Sequence, residues 1–229
     1  MLLSLATPPR RNAQAVPGHH RWHPEIPAVA EVITGGSVRM ECQGRDRLAD
    51  GSPSAEPVLC GPIAVMGAEP GDVITVDVLG IGRTDGRYGG IGHPGVIGCA
   101  PAPDAMTGPA HGNGPNPGAG APLLGHVGPG LASYERIAGE ARTTAARGRE
   151  VATCSIAPLV PGSRILLPVH VPGAKLSVGD LHFPWAGAQD CVLAPLAGWI
   201  DLRIHLTKRG VERFRISGPL LMPDPSPAA

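Results

Sequence analysis

The sequence predicts a mainly β fold, and three observations carry that prediction. It holds 33 glycines and 27 prolines in 229 residues, only 3% of it is aromatic, and several short runs alternate apolar with polar residues. Gly and Pro disfavour helix interiors and punctuate strands, so the composition suits many short strands joined by turns. The same richness could accompany disorder, but β-branched runs supply the material of a packed sheet. The length is enough for one domain with a substantial core. The reading is a single domain over residues 17–223, between flexible tails at 1–16 and 224–229.

The elements follow in order. Alternation begins near Val29 and is clear at Val38, Met40 and Cys42, with Arg39 and Glu41 facing the other way. Gly35-Gly36 reads as a hairpin turn before it. Gly61–Val65 is a short strand, Ala68–Asp72 a Pro-Gly turn, and Val73–Val78 a second strand with one wholly apolar face. Residues 101–130 are Gly, Pro, Ala and Asn with few large apolar side chains, a long loop that is a lid or a disordered insertion. One short helix is expected over Ser133–Arg147, capped by Ser133, stopped by Gly148 and packed on a sheet edge. Strands return at Ile165–Val171 and Lys175–Val178 around Pro172-Gly173. Ile200–Leu206 alternates cleanly, and a turn at Lys208-Arg209-Gly210 is expected to lead into a C-terminal hairpin strand, Val211–Ile216.

Charge and cysteine usage exclude several classes of function. Lys and Arg balance Asp and Glu at 19 each, with no basic run, which argues against a nucleic-acid partner. No apolar stretch is long enough to span a bilayer, and Met1–Ala6 lacks the make-up of a signal peptide. The five cysteines, Cys42, Cys60, Cys99, Cys154 and Cys191, form no CxxC pair and no disulfide framework, which suits a cytoplasmic location.

Four segments could carry chemistry. In Gly179-Asp180-Leu181-His182-Phe183, Asp180 and His182 stand two apart on a strand and share a face, as a base with its orienting partner or as two metal ligands would. The plainer reading is a turn entering a strand with one satisfied histidine. His93 follows a glycine-rich segment, available for proton transfer from a loop or simply part of a surface turn. His19-His20-Arg21-Trp22-His23 could line a pocket; His19 and His20 read better as an exposed polar entry to the first strand, and Trp22 as buried. Cys191, after Gln189, could be a nucleophile or a packed thiol.

Taken together and in order, several segments resemble the acetamidase/formamidase family. They are Arg21–Pro27, Gly61-Pro62-Ile63, Pro70–Val73, His93–Gly98, Glu135–Ala138, Pro172–Phe183 and Ala197–Ile200. The resemblance runs from about Arg21 to Pro223. It implies a β-sandwich, homo-oligomeric assembly as a dimer or larger, and hydrolysis of short linear amides in an acidic, histidine-containing pocket. It implies no obligatory cofactor, although some members bind a divalent, zinc-type metal; Asp180 and His182 would be its ligands here.

By the same resemblance, His182 oriented by Asp180 is the expected acid/base and His93 polarises the carbonyl. Glu41, Gln189, His23, Trp22 and Cys191 are the expected substrate contacts. The sequence also departs from the family: Gly44 stands where an aspartate follows Glu41, Val151–Ser155 replaces a Gly-Gly-Asn-x-Asp segment, and Gln189 replaces a glutamate. A further glutamate aligns at Pro195, and the central region is cut down. Three readings of function follow: hydrolysis of a small amide or related carbonyl compound, non-hydrolytic proton transfer (cyclase, isomerase or lyase type) on a larger apolar substrate, or binding without catalysis.

Overall fold

The structure, a computed structural model, describes residues 18–44, 57–86, 92–106, 122–143, 159–183 and 196–225. Two sheets enclose the main core. The four-stranded sheet holds β2 (Ala30–Val32), β4 (Leu59–Val65), β9 (Leu176–His182) and β6 (His93–Gly98), in that order across it. The five-stranded sheet runs β11 (Leu220–Met222), β8 (Arg164–Pro168), β5 (Val73–Arg83), β10 (Gly198–Thr207) and β3 (Ser37–Cys42). A small ribbon pairs β1 (Arg21–Trp22) with β7 (Arg142–Thr143). This is the mainly β sandwich the sequence predicts.

Alternation in each strand builds the core. Val38, Met40 and Cys42 of β3, Ile74, Val76 and Val78 of β5, and Ile200, Leu202 and Ile204 of β10 face Ile63 and Val65 of β4 and Leu176 and Val178 of β9. Two irregularities shift the alternation. In β5 the register slips against β10 between Asp201 and Leu202; Leu79 is the extra residue and stands exposed, so Ile81 returns to the core. In β9 the backbone of Asp180 is left-handed, with φ of 58°, and Leu181 in place of residue 180 joins the core. That turn sends His182 to the outer face of the four-stranded sheet.

The turns differ from expectation in what they connect. The Gly35-Gly36 turn is not a hairpin: β2 lies in the four-stranded sheet and β3 in the other. The Pro-Gly turns after β4 and after β8 likewise carry the chain from one sheet to the other. Gly71 and Gly173 take φ of 91° and 78°, the positive values that favour glycine at such corners.

The helix is shorter than its composition suggests. α1 spans Tyr134–Glu140, Ser133 makes no side-chain cap, and Ala141 is already extended because Arg142 and Thr143 pair with β1. Its Tyr134 and Ile137 pack on Ile26, Leu124 and Val127, a second small core. Gly148 lies outside the described residues. The expected strand Val211–Ile216 is instead a helical turn, α2 (Gly210–Phe214). Two features close that route to a strand. Asp72 accepts hydrogen bonds from Lys208 Nζ at 2.6 Å and the Arg209 amide at 2.8 Å, and Gly210 sits against Val73, where a Cβ would meet the valine Cβ at 2.5 Å. Of the long 101–130 loop, Pro103–Met106 form a 3-10 turn and 107–121 lie outside the described residues.

Candidate active site

β6 and β9 run antiparallel with His93 opposite His182, and the flanking pairs Pro94–Leu181 and Val96–Gly179 set Gly95 beside Asp180. The two imidazoles stack, with centroids 5.4 Å apart and planes 14° from parallel. His182 Nε2 lies 3.2 Å from Asp180 Oδ2. The left-handed backbone at Asp180 is unusual for a side-chain-bearing residue, and Asp is among the few that tolerate it. Gly95 completes the arrangement: a Cβ there would lie 2.5 Å from Asp180 Oδ2 and 2.9 Å from His182 Nε2. His93 therefore belongs to a strand and is buried, not placed on a surface loop or turn.

Protonation follows from the partners. His93 Nδ1 is 3.0 Å from the Pro94 carbonyl, so Nδ1 carries the proton and Nε2 is the acceptor of the neutral ring. Burial is the main force holding the His93 pKa below its ordinary value, and neighbouring His182 adds to it against the Pro94 carbonyl and Asp180. His182 donates through Nε2 to the aspartate, which leaves Nδ1 as its lone pair. That Nδ1 is buried without a hydrogen-bond partner among the described residues. The side chains of His182 and Asp180 keep 14% and 12% of their exposure.

The other expected residues are placed elsewhere. Trp22 is buried against Leu59 and Val96. His23 Nε2 lies 3.0 Å from Glu140, whose carboxylate also takes Arg136, so His23 ties the N-terminal segment to α1. Glu41 lines a cavity of about 290 Å³ between β3 and β4, whose lining includes none of His93, Asp180 and His182. Gln189 and Cys191 lie outside the described residues. His19 is the clearest departure from expectation: it is buried, not exposed, because both ring nitrogens find partners in Arg21 O at 2.7 Å and Ser177 Oγ at 2.9 Å. His20 is half-buried and accepts from the Leu123 amide.

Sequence reasoning missed Gly95 and Ser177. The first could have been found from His93-Pro94-Gly95 as a strand, since it puts the glycine on the face of the histidine two residues before it.

A zinc-type metal needs three or four converging ligands. Among the described residues no three His, Cys, Asp or Glu side chains meet in that way. His182 Nε2 is also engaged by the Asp180 carboxylate, so the two expected ligands face each other. The described residues do not fit the metal, and no step below runs through one.

The sequence matches the profile of the Acetamidase/Formamidase family over residues 6–92 and 84–228. The chain belongs to that family. It is 32% identical to an acetamidase of Mycolicibacterium smegmatis, over 92% of this chain and 71% of the relative. It is 29% identical to a formamidase of Methylophilus methylotrophus, over 90% of this chain and 68% of the relative. Among solved structures, a gamma lactamase from Delftia acidovorans superposes with a TM-score of 0.74 at 27% identity, covering 91% of this chain and 68% of that one. An acetamidase from Bacillus halodurans, at 18% identity and a TM-score of 0.55, covers 84% of this chain and 69% of its own and supports the fold.

The acetamidase alignment extends over 291 positions, more than the 229 residues of this family member, so the relative carries internal segments absent here. The two profile matches meet at residues 84–92, beside His93.

Proposed function

We propose that this chain hydrolyses the C–N bond of a small linear amide at the Asp180–His182–His93 constellation. The observation that carries the reading is the meeting of these three side chains beside a glycine that leaves room for them and nothing larger. Asp180 holds His182 with Nε2–H toward the carboxylate, which points the basic Nδ1 away from it. That nitrogen takes the proton of an attacking water and returns it to the departing nitrogen, general acid–base help typically worth roughly 10²–10⁴-fold. His93 as a neutral ring with Nδ1–H on Pro94 O presents an acceptor at Nε2, which suits the amide N–H better than the carbonyl oxygen. The names of the relatives, acetamidase and formamidase, point to short acyl groups.

The test is ammonia release from formamide, acetamide and a few longer amides, for wild type, His182→Ala and Asp180→Ala. Wild-type release, lowered about 10²-fold or more in both variants with the fold intact, is the expected result. Full activity in His182→Ala would remove this site from the mechanism.

Two further parts of the reading are assembly into homo-oligomers, which light scattering on purified protein would report, and a cytoplasmic location. Cys42, Cys60 and Cys99, which form no disulfide among the described residues, support the second. No helix among the described residues is long and apolar enough to cross a membrane.

A further inference from the structure

The cavity between β3 and β4 is chemically unlike the histidine cluster. Its lining combines the apolar Val29, Val58 and Ile63 with Glu41, Cys60 and Arg39. The charge balance is decided by Asp201. Its carboxylate takes Arg39 in a two-pronged pair, Nε to Oδ1 at 2.7 Å and Nη2 to Oδ2 at 2.6 Å. The guanidinium also lies 4.1 Å over the Trp199 ring, which rests on Gly80 and Gly82. Arg39 is thus neutralised and held flat, and Glu41 feels it only through space.

The Glu41 side chain is exposed and makes no hydrogen bond or ion pair among the described residues. Burial pushes the Cys60 thiol up to about 11, so it stays neutral at ordinary pH. Among the described residues the cavity therefore carries one uncompensated negative charge beside apolar side chains.

We propose that this cavity binds a small organic cation, a primary ammonium on a short alkyl body, with the ammonium on Glu41 and the alkyl chain against Val29, Val58 and Ile63. The volume of about 290 Å³ is at the small end of ligand sites. An anion is repelled by Glu41, and a neutral ligand of the same shape gains the apolar contact without the charge-assisted hydrogen bonds. The proposal does not depend on hydrolysis at His182.

Cys60 provides a local reporter. Its alkylation by N-ethylmaleimide is followed by peptide mass spectrometry at mildly alkaline pH, in the presence of n-butylammonium, butan-1-ol or butyrate. The buried Cys42 and Cys99 serve as references. The ammonium is expected to slow Cys60 labelling at concentrations about tenfold lower than the alcohol, the ratio expected of one charged hydrogen bond, and butyrate is expected to protect least. Glu41→Gln should remove the advantage of the ammonium and Glu41→Asp should retain part of it, each variant being compared with its own ligand-free rate because the Glu41 charge also helps to raise the Cys60 thiol. Equal protection by the alcohol, protection by butyrate, no protection at all, or an ammonium preference that survives in Glu41→Gln would each overturn the proposal.

Discussion

A single methyl group placed on Gly95 tests the geometry of the site without altering any titratable group. Its Cβ would stand 2.5 Å from Asp180 Oδ2, 2.8 Å from Asp180 O and 2.9 Å from His182 Nε2. Carbon and oxygen normally approach no closer than about 3.3 Å, so the carboxylate must withdraw by about 1 Å. The Asp180 main chain has little freedom to follow, because Gly179 and Leu181 are fixed opposite Val96 and Pro94. Withdrawal stretches the 3.2 Å contact with His182 beyond hydrogen-bond range and frees the ring to rotate.

Overpacking of this kind costs about 1–3 kcal/mol, equivalent in a chain of this size to a fall in Tm of about 2–12 °C. A misplacement of about 1 Å at a catalytic group costs roughly 10²-fold in rate. The assay is ammonia release from formamide and acetamide well below the measured Tm, with kcat and KM determined separately. The expected result for Gly95→Ala is a kcat lowered about 10²-fold with KM little changed. A folded Gly95→Ala protein with wild-type kcat would refute the reasoning, because the Asp180–His182 contact would then be irrelevant to the chemistry.

Two stability predictions follow from buried polar groups. Burial lowers the His19 pKa from 6.5 to about 4, and His20 is lowered to about 4 as well, again chiefly by burial. The unfolded chain therefore takes up these protons first as pH falls: stability is full above about 6.5, is lost between 6.5 and about 4, and levels off below, with His19 alone contributing about 3 kcal/mol. Urea unfolding across this range should show the loss and His19→Gln should reduce it; an unchanged slope in the variant would contradict the assignment. Asp72, buried and bonded to Lys208 Nζ, the Glu69 amide and the Arg209 amide, anchors the turn before α2. Asp72→Ala should cost about 3 kcal/mol in urea unfolding, and a loss below about 1 kcal/mol would mean that those partners find water equally well.

The strands of this protein were legible because burial imposes a period of two. Val38, Met40 and Cys42, or Ile200, Leu202 and Ile204, cannot alternate with Arg39, Glu41, Asp201 and Arg203 for any simpler reason. The partnership of the strands was not legible. Gly35-Gly36 and the two Pro-Gly corners satisfy the same local dihedral demands whether the next strand pairs beside the last or crosses to the facing sheet. Only the core decides between them. The same limit explains α2: Val211–Ile216 has the composition of a strand, and what diverts it is Asp72, more than 130 residues earlier, gripping Lys208 and Arg209. His19 was misread for a related reason. Its partners are the carbonyl two residues on and a serine on β9, and the second is beyond any local pattern.

The site itself was half legible, and the missing half is backbone. Strict alternation would send the side chain of residue 180 toward the core along with Val178. The left-handed turn at Asp180 breaks that alternation, giving the core Leu181 and the outer face His182. Aspartate is common in sequences and seldom left-handed, so its presence announces nothing, whereas the glycine opposite it records how little space the arrangement leaves. Among the described residues the fold also leaves a buried imidazole nitrogen at His182 without a hydrogen bond. Such an atom typically costs about 1–3 kcal/mol, and a residue that could bond both its nitrogens, as His19 does, would avoid that cost. A reactant that presents a proton to Nδ1 removes the penalty when it binds. The structural cost at His182 and the proposed proton transfer therefore rest on the same atom.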